Sequence, residues 1–301
     1  TAYQPVNRSL HGRKLLFKKP RSYATNELQI PCGQCSGCRL EHSRQWAIRC
    51  VHEASLHDSN SFITLTYDAE NLPEDGGLQK RHFQNFIRYY RRYLNKHEGG
   101  QKIRYFHCGE YGETNTKRPH YHALIFGHDF NDKRYLKTIN GNPLYASDTL
   151  DRIWSHGHCS IGTLTFESAA YVARYALKKI RNNATSKEHY FAKYNRVDPE
   201  TGELHFIQPE YVTMSRRPGI GSKWFDKYQS DVYPSDEVVL QGKKMRPPKY
   251  YDSLYEGIED LKRERKINAR KHKDNNTPER LAVREKCLNA RLNFLPRQLE
   301  D

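Results

Sequence analysis

Residues 103–110 read IRYFHCGE and residues 120–126 read HYHALIF, with the polar stretch YGETNTKRP at 111–119 between them. Two apolar runs of strand length flanking a polar, Gly- and Pro-bearing loop are expected to form a hairpin. Setting Glu110 opposite His120 fixes a register in which Cys108 faces His122 and Phe106 faces Leu124. Side chains alternate between the two faces of a strand, so these pairs share one face and Tyr121 points to the other. Glu110, His120 and His122 then converge, with Phe106 and Leu124 extending an apolar core behind them. Two imidazoles and a carboxylate with open positions suit Mg²⁺ or Mn²⁺ held against a phosphate. Glu113, in the loop, is the reserve ligand. Against this stands the plainer possibility that two histidines in a strand are core residues.

The flanking sequence supplies the rest of a sheet. FITLTYD at 62–68 has the β-branched run of a buried strand, and LQKRHFQNFIRYYRRYLNKH at 78–97 is helical by period. Phe83, Ile87, Tyr90 and Leu94 form its apolar stripe, leaving Arg88, Arg91 and Arg92 outside it. After an insertion-like segment at 128–147, a short helix at 147–154, a strand at 158–166 and a helix at 167–180 follow, with Ser168 as a candidate N-cap. An earlier helix is expected over 40–57. This order predicts an α+β domain, an antiparallel sheet with helices packed on it. Residues 181–203 read as polar loop, SRRPGIGSKWF at 215–225 is punctuated by Pro and Gly, and PSDEVVLQGKKMRPPKYY at 234–251 reads as a short hairpin with a basic tip. From 252 onward the pattern is helical and highly charged. Three regions are expected: a basic arm, cysteine cluster and helix over 1–58, a catalytic core over 59–182, and a basic accessory region over 183–301.

Fifty Lys and Arg against 35 Asp and Glu give the 301 residues a net charge of +15, a field that attracts polyanions. The basic residues are interleaved with aromatics, the pattern of a nucleic-acid-binding surface. Mean hydropathy is −0.95, and no apolar run approaches a membrane span of roughly 20 residues, so a cytoplasmic protein is expected. Of seven cysteines, Cys32, Cys35 and Cys38 recur at two-residue gaps, close enough for thiolates to share one ion. A structural Zn²⁺ needs four ligands, for which His42 and Cys50 are candidates; an iron–sulfur cluster and unmetallated thiols are the alternatives.

YVARYALKK at 171–179 places Tyr171 and Tyr175 one helical turn apart, with Lys178 on the same face. Ala169, Ala173, Ala176 and Ile180 form an opposite apolar stripe expected to pack on the sheet. A phenol with a pKa near ~10 is a poor nucleophile, and a nearby lysine with a metal-polarised phosphate lowers the barrier from both sides. Two tyrosines alone are ordinary packing residues. Their order after a His-x-His strand and an in-register carboxylate favours a nucleophile.

FITLTYD, GEYG, RPHYH and YVARYALKK together resemble the motifs of HUH-type rolling-circle replication initiators, most closely the replication proteins of microviruses of the gokushovirus branch. PCGQCSGCR and SRRPGIG are similar to that branch too. His-Tyr-His departs from the usual apolar middle residue. The resemblance implies an HUH endonuclease fold, ferredoxin-like in its relations, with His120, His122 and Glu110 as Mg²⁺ or Mn²⁺ ligands. Tyr171 and Tyr175 would be paired nucleophiles with Lys178 near the scissile phosphate, Tyr175 ranked first for initial cleavage. Single-stranded origin DNA would be cut with its 5′ end kept on tyrosine, and the circle later closed by the reverse reaction. Arg118 and Lys117 beside the metal strand and Lys179 in the tyrosine helix are candidate contacts to the DNA backbone. No Walker-type loop is present, so unwinding falls to a host helicase, with a host polymerase, in a bacterial cytoplasm. No small-molecule cofactor is expected. Two rivals are a non-catalytic, Zn-stabilised nucleic-acid-binding protein and a metal-dependent hydrolase.

Overall fold

A computed structural model of the chain describes residues 2–5, 16–28, 30–33, 35–112, 117–175, 187–197, 201–271 and 275–294. It divides into two compact units, Thr1–Arg39 and Leu40–Asp301. In the first, strand β1 (Ala2–Pro5) pairs antiparallel with β2 (Thr25–Leu28). Helix α1 (Ser36–Ala54) starts before the expected residue 40 and leads to β3 (Asn60–Thr66), α2 (Lys80–His97) and the hairpin β4 (Arg104–Tyr111) and β5 (Pro119–Phe126). Then come β6 (Arg134–Ile139), β7 (Asn142–Ala146), α3 (Asp148–Trp154), β8 (Cys159–Gly162) and α4 (Phe166–Tyr175). The remainder comprises α5 (Lys187–Tyr194), β9 (Asn195–Val197), β10 (Leu204–Phe206), β11 (Tyr211–Met214), α6 (Ser222–Val232), β12 (Val238–Leu240), β13 (Lys243–Met245), α7 (Lys249–Asp252), α8 (Ile258–Lys271) and α9 (Pro278–Asn293).

Seven strands form one sheet in the order β11-β4-β5-β3-β8-β7-β6, and each pairing in it is antiparallel. This is the α+β arrangement that the order of elements predicts. Helices cover both faces. On one, Phe83, Phe86, Ile87, Tyr90 and Leu94 of α2 and Leu150, Ile153 and Trp154 of α3 pack on Ile63, Leu65, Tyr121, Ala123 and Ile125. Complete burial of each such side chain contributes roughly 1.5–3 kcal/mol, which explains why the α2 stripe keeps so regular a period. On the other face, Ala47 and Cys50 of α1 and Ala169, Tyr171, Val172 and Ala173 of α4 pack on Phe62, Phe106, Cys108, Leu124 and Phe126. A third cluster joins Ile48 to Phe225, Val232, Tyr233, Val238, Tyr251 and Leu261 of the C-terminal elements.

Several boundaries differ from expectation. Residues 128–147 are not a plain insertion: β6 and β7 pair within them, and β7 joins the sheet through Tyr145 opposite Ile161. β6 is exposed along nearly its whole length, so it carries no alternating apolar signal. Within the polar stretch 181–203 lie α5 and β9, and β11 adds an edge strand beside β4. The hairpin at 234–251 is present, turning on Gln241 and Gly242 at φ 49° and 73°. Ser168 does not cap α4 as first residue. Thr165 does so: its hydroxyl accepts from Ser168 N at 3.1 Å while Ser168 Oγ accepts from Thr165 N at 2.8 Å, a reciprocal capping box. The expected stripe residues Ala176 and Ile180 lie outside the described residues.

Candidate metal centre

The β4–β5 ladder sets Glu110 opposite His120, Cys108 opposite His122 and Phe106 opposite Leu124, the register inferred from the hairpin. On the other side of β5, β3 brings Thr64 opposite His122 and Thr66 opposite His120. The strand alternation therefore gathers a carboxylate, two imidazoles and a hydroxyl on one face, the face covered by α1 and α4.

One ligand atom from each of Glu110, His120 and His122 lies within 4.8 Å of the others. Glu110 Oε1 is 2.9 Å from His120 Nε2 and 2.7 Å from His122 Nε2. The opposite ring nitrogens are engaged elsewhere. His120 Nδ1 donates to the Arg118 carbonyl at 3.2 Å, and His122 Nδ1 shares a hydrogen bond of 2.7 Å with Thr64 Oγ1. Phe62 stacks on the His122 ring at 5.6 Å between centroids. Such outer contacts fix ring orientation and aim Nε2 at the common point.

Burial pushes the Glu110 carboxyl up, but the two histidines, by hydrogen bonds and charge, hold it below the usual carboxylate range. Its second oxygen, Oε2, is buried and has no hydrogen-bond partner among the described residues. A buried carboxylate oxygen without a partner is costly, and two imidazole nitrogens aimed at the other oxygen call for a cation between them. The donor set could hold a divalent metal, with two nitrogens and one carboxylate leaving coordination positions open.

Helix α4 lies against this cluster. Its Ala170 carbonyl accepts from Ser43 Oγ of α1 at 2.8 Å, and the Thr165–Ser168 box fixes its start. Tyr171 is only 5% exposed, its ring edge-on to His122 at 5.2 Å and its hydroxyl donating to Glu110 Oε1 at 3.5 Å. Arg174 carries its guanidinium 5.9 Å from the Tyr171 ring centroid. Tyr175 closes the described part of α4; its side chain, and all of Lys178, Lys179 and Glu113, lie outside the described residues.

Lys117 and Arg118 are exposed at the start of β5, where Gly112 N donates to the Arg118 carbonyl at 3.1 Å and closes the loop beside His120. Arg196, which the sequence did not single out, donates to the Lys117 carbonyl at 3.2 Å. Thr64 and Phe62 were missed as well. Their period-two spacing in FITLTYD was visible, but not which strand they would meet. In the first unit, Cys32, Cys35 and Cys38 also gather within 4.8 Å, with Cys32 and Cys38 sulfurs 4.0 Å apart and Cys35 N donating to Cys32 Sγ at 3.2 Å. Of the candidate fourth ligands, Cys50 is buried in the apolar core and burial pushes its thiol far up, while His42 Nε2 accepts from Trp46 Nε1 at 3.2 Å.

A family model for replication-associated proteins of the ORF2 type matches residues 60–180. The chain is 35% identical over 251 residues to the replication-associated protein VP4 of Bdellovibrio phage phiMH2K, covering 82% of this chain and 72% of that protein. The chain belongs to the replication-associated proteins of microvirus-like phages. Among other relatives in this family, the replication-associated protein ORF2 of Spiroplasma virus 4 is 30% identical over 256 residues, 82% of this chain and 73% of that one. The replication-associated protein ORF4 of Chlamydia phage 1 is 29% identical over 230 residues, 75% of this chain and 53% of that one. No solved structure matches the chain. The span matched by the replication-associated family model, 60–180, opens with β3 and takes in Glu110, His120, His122, Tyr171 and Tyr175. As to location, no helix among the described residues is long and apolar enough to cross a membrane.

Proposed function

We propose that this replication-associated protein is an initiator that nicks single-stranded origin DNA through a tyrosine of α4 and later rejoins the strand. The observation that carries this is the approach of the Tyr171 hydroxyl to 3.5 Å from Glu110 Oε1, within a cluster of two histidines and a carboxylate. Glu110, His120 and His122 would hold Mg²⁺ or Mn²⁺, which when bound supplies Lewis-acid polarisation of the scissile phosphate.

The tyrosine oxygen attacks phosphorus and the bond from phosphorus to the 3′ oxygen breaks. The phenol proton ends on the 3′ oxygen, leaving a free 3′-hydroxyl and a 5′-phosphotyrosine. One phosphate diester is exchanged for another, so the 3′-hydroxyl can reverse the step without an external energy source. Tyr171 and Tyr175 are the nucleophiles, one for the first cut and one for the regenerated origin. Lys178, which by its spacing in the sequence shares their helix face, lowers the phenol's resistance to ionisation. Lys117, Arg118 and Lys179 hold phosphates of the strand. A host helicase and polymerase supply unwinding and synthesis in the bacterial cytoplasm. Cys32, Cys35 and Cys38 hold a structural Zn²⁺ completed by a fourth ligand.

Incubation of the protein with end-labelled origin single strand and Mn²⁺, followed by a denaturing gel, tests the reading. A covalent protein–DNA band that chelation abolishes is expected. Cleavage without such a band would point to a hydrolase, and neither cleavage nor band would sink the proposal.

A further inference from the structure

On the face of the sheet away from the metal centre, α2 and α3 leave a groove of about 660 Å³ between them. Arg92, Lys96, His97 and Arg152 line it together with Tyr89 and Tyr93, and no carboxylate does. Among the described residues Arg92, Lys96 and Arg152 form no ion pair. Arg152 is held only by its own helix, with Nε and Nη2 donating to the Asp148 carbonyl at 3.3 Å and Thr149 Oγ1 at 3.2 Å. Cations brought together without a counter-charge repel one another, and that cost marks the groove as a place for an anion.

The aromatic residues narrow the class of anion. Tyr89 is 42% exposed, flanked by the guanidiniums of Arg88 and Arg92 at 5.1 and 5.9 Å from its centroid. One turn on, Tyr93 and His97 pair their rings at 4.8 Å. Flat rings exposed beside unpaired cations fit a ligand that carries phosphates and π-faces in alternation, as a single strand does. The apolar stripe of α2 faces the core, so these side chains are not needed to hold the helix in place.

We propose that this groove is a second strand-binding site, taking a few nucleotides of single-stranded DNA by phosphate and base without regard to sequence. It would hold the strand on the side of the sheet opposite the cut. The proposal rests on the chain handling single-stranded DNA, as argued above, but not on its cutting it.

Fluorescence anisotropy with labelled oligothymidylate of roughly 12 nucleotides, in EDTA so that no cleavage occurs, tests it. The Arg92→Ala, Lys96→Ala double variant should bind at least about tenfold more weakly at low salt, and its plot of log affinity against log salt should flatten by ~1.4. Tyr89→Ala should weaken binding to oligothymidylate but not to an abasic strand of equal length. Removing the same charge from α6, by Lys223→Ala with Lys227→Ala, controls for net charge and should change affinity by less than about twofold. Equal losses from the two pairs, or an unchanged affinity and slope for Arg92→Ala with Lys96→Ala, would overturn the site, the latter leaving the groove to an acidic protein. Failure here with an intact covalent band overturns the groove alone; loss of the band with the expected change in slope overturns the nicking alone.

Discussion

Glu110 divides its work between two oxygens: Oε1 takes both histidines and the Tyr171 hydroxyl, and Oε2 is buried without a hydrogen-bond partner among the described residues. The histidines reach it in a fixed pose because their far nitrogens are tied to the Arg118 carbonyl and to Thr64 Oγ1. Thr64→Val keeps the shape and removes the hydroxyl, so Mn²⁺ affinity by titration calorimetry should fall by roughly tenfold or more. Unaltered affinity would mean that Thr64 does not orient His122. Glu110, His120 and His122 were legible in the sequence because period-two alternation across one short hairpin needs only local information. Thr64 was not, because its meeting with His122 depends on β3 pairing with β5, a contact between distant segments.

Helix α4 is the element that carries the candidate nucleophiles to the sheet. It depends on its start. Thr165→Ala removes one side of the capping box and should cost about 1 kcal/mol in urea denaturation. It should also lower the yield of covalent adduct while leaving Mn²⁺ affinity intact, since the ligands lie on strands. A fall in affinity equal to the fall in adduct would show that the helix and the metal centre cannot be separated. The sequence showed this helix by its Ala stripe but misplaced its cap, because Thr165 and Ser168 are both good capping residues three apart and either could lead. Edge strands were harder still. β6 is exposed on nearly its whole length and β11 has only four residues, so neither repeats a pattern long enough to outweigh loop-like neighbours.

For the molecule as a whole, the charge of +15 suggested a polyanionic partner, yet not every basic residue is free for one. In the run from Lys262, Arg265 is instead drawn inward, with hydrogen bonds to both carboxylates of Asp236 and Asp252. Burial pushes the Asp252 carboxyl up, but the Arg265 and Tyr233 hydrogen bonds outweigh it and leave it below its ordinary value. A lowered carboxylate stabilises the fold above its unfolded pKa, near ~3.9, and that stability is lost as pH falls through the folded value. Melting temperature should therefore drop more steeply below about pH 4 in the wild type than in Asp252→Asn. Arg265→Ala, which leaves two carboxylates facing each other without their cation, should cost roughly 3 kcal/mol at neutral pH. A wild type and Asp252→Asn that lose stability in parallel would contradict this role.

The claim on which all else turns is that a tyrosine of α4, beside Glu110, His120 and His122, becomes joined to DNA. Arg174 lies between the two tyrosines, so trypsin separates them into the peptides 153–174 and 175–178. Mass spectrometry of the nuclease-trimmed, trypsin-digested adduct should find the nucleotide mass on one or both of these peptides. The same mass on any other peptide, with both of these unmodified, would contradict it.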